Sequence, residues 1–256
     1  MRMIHADELR AEFVAELAGR DQAASLAQMP AARTVPLRRA ASLARGQAAA
    51  GPVGGLAKRL LDILLVIAAV PLLLPLLLGL AIMLKLTDPG PLLYGHRRIG
   101  FAGRPFSCWK FRTMVVDGDA VLEAYLQAHP AAAEAWRTQR KFDNDPRVTR
   151  IGAVLRKLSL DEFPQLLNVL RGEMSLVGPR PVVQAELDEH YGPAAPAYLS
   201  TRPGLTGLWQ ISGRSNTTYA ERIRLDCDYV RRWSLGRDLR IILLTIPAMA
   251  LSRGAR

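Results

Sequence analysis

A long run of apolar residues stands out from the mixed pattern of the rest of the chain. Residues 63–84 contain no charged side chain, and about 20 such residues are enough for a helix to cross a bilayer. Pro71 and Pro75 both lie inside the run, where each removes a backbone donor and clashes with the carbonyl group of the preceding turn. The pattern therefore predicts an apolar helix that is broken near Pro71 and Pro75.

The flanks of this run indicate how the helix enters a membrane. Lys58 and Arg59 precede it and Lys85 follows it, and the positive-inside rule assigns basic flanks to the cytoplasm. Both ends lie on that side if the helix bends at the prolines and returns, with its broken backbone shielded by protein. We predict a re-entrant membrane helix over residues 56–86. A kinked span followed by an external domain, and a buried helix of a soluble protein, are the alternatives.

Residues 1–55 contain few of the large apolar side chains that build a core. Alanine, arginine, glutamine and glycine dominate, and prolines and glycines recur from position 30 onward, which is typical of a linker. We predict a disordered or weakly helical N-terminal extension, in which residues 6–28 have the pattern of an amphipathic helix. Charged residues interrupt every apolar stretch there, so the pattern shows no secretory signal peptide.

Residues 87–256 have the pattern of a globular domain. Short strands and turns are predicted over 92–115, around several glycines. Helices are predicted over 117–141, 160–170 and 182–191. The apolar stretch 241–251 is too short to span a bilayer and suits an amphipathic helix in the membrane interface. No βαβ alternation is visible, so we predict a mostly helical α/β domain with short strands.

The composition indicates the chemistry of the partners. The 256 residues carry a formal charge of +11 and a sequence pI of about 10.3, which favours anionic partners such as nucleic acid, a membrane surface or phosphorylated substrates. Cys108 and Cys227 are far apart and fit reduced thiols in the cytoplasm better than a disulfide framework. The four histidines are scattered, which argues against a zinc site.

The strongest candidate for chemistry is the adjacent carboxylate pair Asp161 and Glu162. Ser159 and Glu162 have the spacing of a capping box, whereas Asp161 as the N-cap would place Pro164 in the first turn, where proline is tolerated. Either register puts both carboxylates at a helix N-terminus, where the helix dipole favours their ionised form. Taken alone, such a stretch is more often a helix cap than a catalytic site.

Basic residues surround this pair along the chain. They are Arg147, Arg150, Arg156, Lys157, Arg171 and Arg180. So many cations would keep two carboxylates ionised at neutral pH, and an ionised aspartate can act as a nucleophile. An adjacent carboxylate can hold Mg²⁺, which takes few protein ligands and keeps positions for substrate phosphates. A basic face against anionic lipid is the alternative role for the arginines.

Eight short motifs occur in an order that resembles one known family. In chain order they are 58–62 (KRLLD), 110–114 (KFRTM), 145–150 (DPRVTR), 159–162 (SLDE), 168–175 (NVLRGEMS), 177–181 (VGPRP), 202–207 (RPGLTG) and 212–215 (SGRS). Over roughly residues 56–256 the chain resembles the bacterial sugar transferases, also called monotopic phosphoglycosyl transferases. It looks like a short member of the branch that acts in exopolysaccharide synthesis.

This resemblance implies a fold and an activity. Family members cap a re-entrant membrane helix with a small α/β domain on the cytoplasmic face of the bacterial inner membrane, which here would be residues 87–256. They transfer a sugar 1-phosphate from a UDP-sugar to undecaprenyl phosphate at the surface of the membrane lipid, which is a first step of glycan assembly. The implied cofactor is Mg²⁺, and a homodimer is a possible assembly.

The resemblance also implies roles for individual residues. Asp161 matches the nucleophile that attacks the sugar-side phosphate, expels UMP and forms a covalent aspartyl phosphosugar. Glu162 matches its partner, which binds Mg²⁺, and Arg214 matches an arginine that binds substrate phosphate. Lys110, Arg156 and Arg180 match further basic residues that line the site, and we assign them to substrate phosphate as well. Phosphoryl transfer between two polyanions needs neutralisation of charge above all, and this set supplies it.

Some questions stay open at this point. Leu74 stands where the family often has a serine before the breaking proline, so another group must satisfy the carbonyls freed there. Residues 207–216 look most like the exopolysaccharide branch, whose members transfer galactose or glucose 1-phosphate, and we favour galactose. The rival functions are a non-enzymatic scaffold of a polysaccharide assembly complex and a direct glycosyltransferase that releases UDP. A nucleic-acid binder is not expected, because the chain has a membrane run and no recognisable binding module.

Overall fold

The protein is mostly helical with short strands in the part that the structure describes. This computed structural model describes residues 51–139, 142, 144–212 and 218–250. The predicted α/β class with mostly helical content is confirmed there. Most of the predicted extension 1–55 lies outside the described residues, and so does Arg214.

The described elements run in the following order. Helix α1 is Gly55–Thr87, strands β1 and β2 are Leu93–Ile99 and Pro105–Phe111, and helices α2 to α5 are Gly118–Ala128, Pro130–Gln139, Arg150–Lys157 and Gln165–Arg171. Strand β3 is Ser175–Val177, helices α6 and α7 are Gln184–Glu186 and Ala195–Leu199, and strand β4 is Gly204–Thr206. Helices α8, α9 and α10 are Leu208–Ser212, Tyr219–Arg231 and Leu235–Ala250.

Among the described residues, α1 is the one helix that is long and apolar enough to cross a membrane. Its most apolar 18-residue window has a mean hydropathy of 2.9, and only 11% of that window is buried. Leu64 and Leu72 are 64% and 82% exposed, so this surface suits an apolar medium. Pro71 and Pro75 both lie inside the helix. The break at these prolines and the re-entrant path stay predictions.

Two buried carboxylates hold the first turns of α1. Asp238 lies 2.6 Å from Lys58 Nζ and accepts a further hydrogen bond from the hydroxyl group of Tyr229 at 2.7 Å. Asp62 accepts hydrogen bonds from the Ser175 hydroxyl group and from the next backbone amide, both at 3.0 Å. The residues of the 58–62 motif that look like membrane flanks are therefore also structural contacts, because a buried charge needs a partner.

The described chain divides into two compact units. The first contains described parts of Met1–Val66, Arg97–Cys108 and Leu166–Leu251, and the second contains Ile67–His96 and described parts of Trp109–Gln165. One core of the first unit is formed by Val177, Leu208, Trp209, Ile211, Leu225, Tyr229 and Ile241. A core cluster of the second unit consists of Leu80, Leu84, Phe111 and Leu155. Burial of these side chains is the main favourable term that holds each unit together.

A short parallel strand pair lies in the first unit. Strands β3 and β4 pair with Ser175 opposite Gly204 and Val177 opposite Thr206. A parallel pair needs a crossover connection, and here helices α6 and α7 lie in the connection. The expectation of no strand–helix–strand alternation is therefore wrong, because strands of three residues are too short to show a strand pattern in the sequence.

Several predicted helices differ from the observed ones at their ends. The single helix predicted over 117–141 is two helices, α2 and α3, which are separated at His129 with φ −132° and ψ 84°. Pro130 follows His129 and disfavours helical backbone at the residue before it. The predicted interfacial stretch 241–251 is part of the longer helix α10, while residue 251 lies outside the described chain.

Candidate active site

The carboxylate pair lies in a single 3-10 turn between α4 and α5. Asp161 and Glu162 are the last two residues of this turn, and the preceding Ser159 has a left-handed backbone with φ 55° and no side-chain capping bond. The predicted capping box is therefore wrong. The alternative register is wrong too, because α5 begins at Gln165, directly after Pro164. The carboxylates precede that helix by about one turn, and the non-glycine left-handed residue adds local strain of the kind found at functional sites.

Lys110 contacts both carboxylates from the end of β2. Its Nζ lies 2.7 Å from Glu162 Oε1 and 3.5 Å from Asp161 Oδ2. The Asp161 side chain is 9% exposed, whereas the side chains of Glu162 and Lys110 are 39% and 32% exposed. The pair is thus asymmetric, with one buried and one accessible carboxylate that share an ammonium group.

Burial dominates the electrostatics of Asp161. Loss of hydration raises the pKa of its carboxyl group above the usual value, while the positive charge of Lys110 opposes this rise. The negative charge of Glu162 raises the pKa further, and Arg156 lowers it. Burial thus outweighs the neighbouring cations in the direction of this shift, and Lys110 contributes more than Arg156.

Arg156 is held beside the pair by a buried hydroxyl group. It lies in the last turn of α4, and its Nε donates a 2.8 Å hydrogen bond to Thr113 Oγ1. Thr113 is 6% exposed and follows Lys110 in the same motif. The motif 110–114 therefore supplies one cation and positions another. The sequence did not reveal the role of Thr113, because its proximity to Arg156 arises only when the chain is folded.

The other predicted basic residues are placed differently. Arg147 pairs with Asp145 at 2.6 Å, so its charge is used within the 145–150 motif. Arg180 lies in the first unit, where its guanidinium carbon is 5.5 Å from the centre of the Trp209 ring. Arg214 falls outside the described residues. The structure thus brings together Asp161, Glu162, Lys110 and Arg156 of the predicted site residues.

The donor set fits a magnesium ion better than a transition metal. Within the described part of the chain, no group of three or more His, Cys, Asp or Glu side chains could hold a metal ion. Asp161 and Glu162 provide two carboxylates and no nitrogen or sulfur ligand. Mg²⁺ commonly takes one or two carboxylates and completes its coordination with water and substrate phosphates. The exposed carboxylate of Glu162 is suited to such an ion.

Comparison with known proteins decides the family. A family described as "Bacterial sugar transferase" matches residues 53–252. The chain belongs to this family. It is 57% identical over 204 residues to the exopolysaccharide production protein ExoY of Sinorhizobium fredii, covering 80% of this chain and 90% of the relative. This membership confirms the resemblance to the bacterial sugar transferases that the motifs indicated. It also shows that the chain is a transferase enzyme.

Two further relatives have more specific names. A UDP-glucose:undecaprenyl-phosphate glucose-1-phosphate transferase of Caulobacter vibrioides is 44% identical over 208 residues, which are 78% of this chain and 72% of the relative. An undecaprenyl-phosphate galactose phosphotransferase of Salmonella typhimurium is 47% identical over 168 residues, which are 66% of this chain and 35% of the relative. The similar relatives thus include one named for glucose and one named for galactose.

Proposed function

We propose that this protein transfers a hexose 1-phosphate from a UDP-sugar to undecaprenyl phosphate, with Asp161 as the nucleophile. The observation that carries the proposal is a buried aspartate in contact with Lys110 and adjacent to an accessible glutamate. The names of the relatives support both substrates and a role in exopolysaccharide production, and we propose that the reaction is the first step of its assembly. Galactose and glucose are both named among them, and we keep galactose as the first candidate.

The first half of the reaction forms a covalent intermediate. A carboxylate oxygen of Asp161 attacks the sugar-side phosphorus of the UDP-sugar, and the bond from that phosphorus to the bridging oxygen breaks. The electron pair of this bond leaves with UMP, so the product is an aspartyl phosphosugar and no oxidant or reductant is needed. Nucleophilic catalysis of this kind divides one difficult displacement into two easier ones.

The second half of the reaction regenerates the enzyme. A phosphate oxygen of undecaprenyl phosphate attacks the same phosphorus, and the bond to Asp161 breaks. The aspartate returns as a carboxylate, and the lipid leaves as undecaprenyl diphosphate sugar. One nucleophile therefore reacts first with a soluble donor and then with a lipid acceptor. Because Asp161 is buried, this requires that both substrates reach the same side chain.

The neighbouring cations have separate tasks in this proposal. Lys110 stabilises the ionised form of Asp161 before attack and the phosphate oxygens as charge redistributes. Arg156, oriented by Thr113, adds a second positive charge that lowers the pKa of Asp161. Glu162 would hold Mg²⁺, which supplies positive charge to the diphosphate when it is bound. Arg180 and Arg214 are assigned to substrate phosphate on the basis of the motifs alone.

The apolar helix α1 supports a location at the membrane. Its exposed leucines need a hydrocarbon environment, and the acceptor is itself a membrane lipid. We place the enzyme at the bacterial inner membrane with residues 87–256 on the cytoplasmic face, where UDP-sugars are made. The re-entrant path of α1 is part of the same proposal, because it keeps both helix ends on that face.

The nucleotide product tests the proposed reaction. Membranes that contain the protein are incubated with undecaprenyl phosphate, Mg²⁺ and a panel of labelled UDP-sugars, and the released nucleotide is identified. Release of UMP, with label entering the lipid fraction for one hexose of the panel, is expected. Release of UDP would instead make the protein a direct glycosyltransferase, and no turnover with any donor would favour a scaffold.

A further inference from the structure

A pair of arginines shares one indole ring in the first unit. The guanidinium carbon of Arg180 lies 5.5 Å from the centre of the Trp209 ring, and that of Arg222 lies 4.9 Å from the same centre. Arg222 also lies 5.8 Å from the ring centre of Tyr219. A guanidinium group is attracted to an aromatic face, and this attraction holds both arginines beside the Trp209 ring.

Close packing of the backbone fixes the positions from which the side chains of Arg180 and Trp209 extend. Arg180 follows β3 by three residues and Trp209 follows β4 by three residues, and the carboxyl ends of parallel strands lie at the same edge. A side chain at Gly178 would meet a backbone oxygen at 2.5 Å, and one at Gly207 would meet another at 2.2 Å. This close approach fixes where the two side chains meet.

The charge balance of the surroundings is positive. Asp226, which is 3% exposed, lies close enough to Arg180 and Arg222 for both to lower its pKa, yet burial raises that pKa to about 7. Glu186, a second carboxylate of the cluster, faces Arg98 at 3.9 Å. Among the described residues of this cluster, three guanidinium groups, those of Arg98, Arg180 and Arg222, thus accompany the carboxyl groups of Asp226 and Glu186. Such an excess favours an anion as the ligand.

We propose that Arg180 and Arg222 together bind a phosphoryl group of a substrate of the transferase. Guanidinium groups bind phosphate oxygens through paired N–H donors, and stacking on an aromatic ring orients this planar fork without using its edges. The motif comparison assigns phosphate binding to Arg180 but gives Arg222 no role. The inference rests on the proposed function, and the phosphate could be that of the UDP-sugar or that of undecaprenyl phosphate.

The test is a comparison of two charge-neutral variants on the same helix. Arg222→Gln removes the cation beside Trp209. Arg231→Gln is the matched control, because Arg231 is an exposed residue of α9 and nine residues along a helix correspond to about two and a half turns. The full-length proteins are assayed for UMP release with each substrate varied in turn, and thermal unfolding shows that both variants are folded.

We expect Arg222→Gln to raise one KM by about tenfold to hundredfold, as expected for loss of a charged hydrogen-bonding group, with a smaller effect on kcat. A raised KM for the UDP-sugar, together with weaker direct binding of UMP, identifies the donor phosphate. A raised KM for undecaprenyl phosphate identifies the lipid phosphate. Arg222→Lys should recover part of either loss, because it restores the charge without the planar fork.

Unchanged KM values for both substrates in a folded Arg222→Gln protein would overturn the inference. An equal rise in the Arg231→Gln control would overturn it as well, because the effect would then be one of overall charge. Failure of the proposed function has a different result, since the wild-type protein itself would release no UMP. If Arg222→Gln does not fold, the comparison of Arg222→Lys with wild type and with Arg231→Lys decides in the same way.

Discussion

The ammonium group of Lys110 lies closer to Glu162, at 2.7 Å, than to Asp161, at 3.5 Å. Because Glu162 raises the pKa of Asp161 and Lys110 lowers it, this ion pair reduces the effect of one carboxylate on the other. The shorter contact is made to the accessible carboxylate, and the buried carboxylate is the proposed nucleophile. The electrostatic state of the nucleophile therefore depends on a residue 51 positions away in the sequence.

Replacement of the nucleophile should abolish turnover. Asp161→Asn keeps the shape of a buried side chain and removes its nucleophilic oxygen, so we expect UMP release to fall by at least about a thousandfold. The covalent phosphosugar adduct, detected by mass spectrometry of the intact protein, should disappear. Thermal unfolding should be nearly unchanged, because the variant buries no charge. Asp188→Asn, at an exposed position, is the control, and an active Asp161→Asn protein would refute the assignment of Asp161.

Removal of Lys110 should shift the pH dependence. Lys110 lowers the pKa of Asp161 against the effect of burial, so Lys110→Gln raises that pKa further. The acidic limb of the kcat/KM profile reports ionisation of the free enzyme, and it should therefore move to higher pH, with a lower plateau. Lys157→Gln removes an equal charge at an exposed position of α4 and should leave the limb in place. A limb that stays in place in Lys110→Gln would show that Asp161 does not control it.

The stability of the first unit should depend on the ionisation of Asp226. Burial raises the folded-state pKa of Asp226 to about 7, well above the usual value near 3.9. The folded protein therefore binds this proton more tightly than the unfolded chain, and the resulting stability is complete at acidic pH and lost as the pH rises through about 7. From pH 5 to 8 the wild type should lose on the order of 3 kcal/mol relative to Asp226→Asn.

Thermal or denaturant unfolding of both proteins across this pH range measures the difference. Asp226→Asn retains an acceptor for the Tyr191 hydroxyl group, which donates to Asp226 at 2.9 Å, so the variant should fold. Parallel pH profiles of the two proteins would contradict the assignment of the titrating group to Asp226.

The path of α1 can be tested with two cysteines. Leu56 and Leu86 are 72% and 80% exposed and lie near opposite ends of the helix. In a background with Cys108→Ala and Cys227→Ala, we expect Leu56→Cys and Leu86→Cys to react with a membrane-impermeant maleimide only when the cytoplasmic face is accessible. Labelling of the two positions from opposite faces would establish a true span, and each labelled protein should first be shown to release UMP.

The sequence predicted those features that depend on neighbouring residues. The apolar run appears as α1, the short strands appear as β1 and β2, and the family motifs agree with the family match. Helix α1 is continuous through Pro71 and Pro75, so a change in its direction at these prolines is still a prediction. The break between α2 and α3 could also have been predicted, because Pro130 limits the backbone of His129. The alanines around it favoured the prediction of one continuous helix instead.

Features that depend on distant residues were not predictable. The six basic residues near Asp161 in the sequence include Arg147, which is paired with Asp145. The family resemblance matched Lys110 to the site, but its contacts with both carboxylates appear only in the folded chain. The direction of the pKa shift of Asp161 likewise depends on burial, which arises only when the chain is folded. Arg222 has no motif of its own, and its place beside Trp209 follows from the packing of α8 and α9.

The glycines at the junction of β3 and β4 have a consequence for mutational scans of this enzyme. A methyl group at Gly204 would lie 2.1 Å from a backbone nitrogen, so even alanine would force the two strands apart. Gly178 and Gly207 are equally closed to a side chain. All three positions should therefore be as intolerant of substitution as Asp161, although none supplies a reactive group. Loss of activity at these sites would reflect the spacing of strands β3 and β4. A measurement of unfolding distinguishes this cause from the loss of a reactive group.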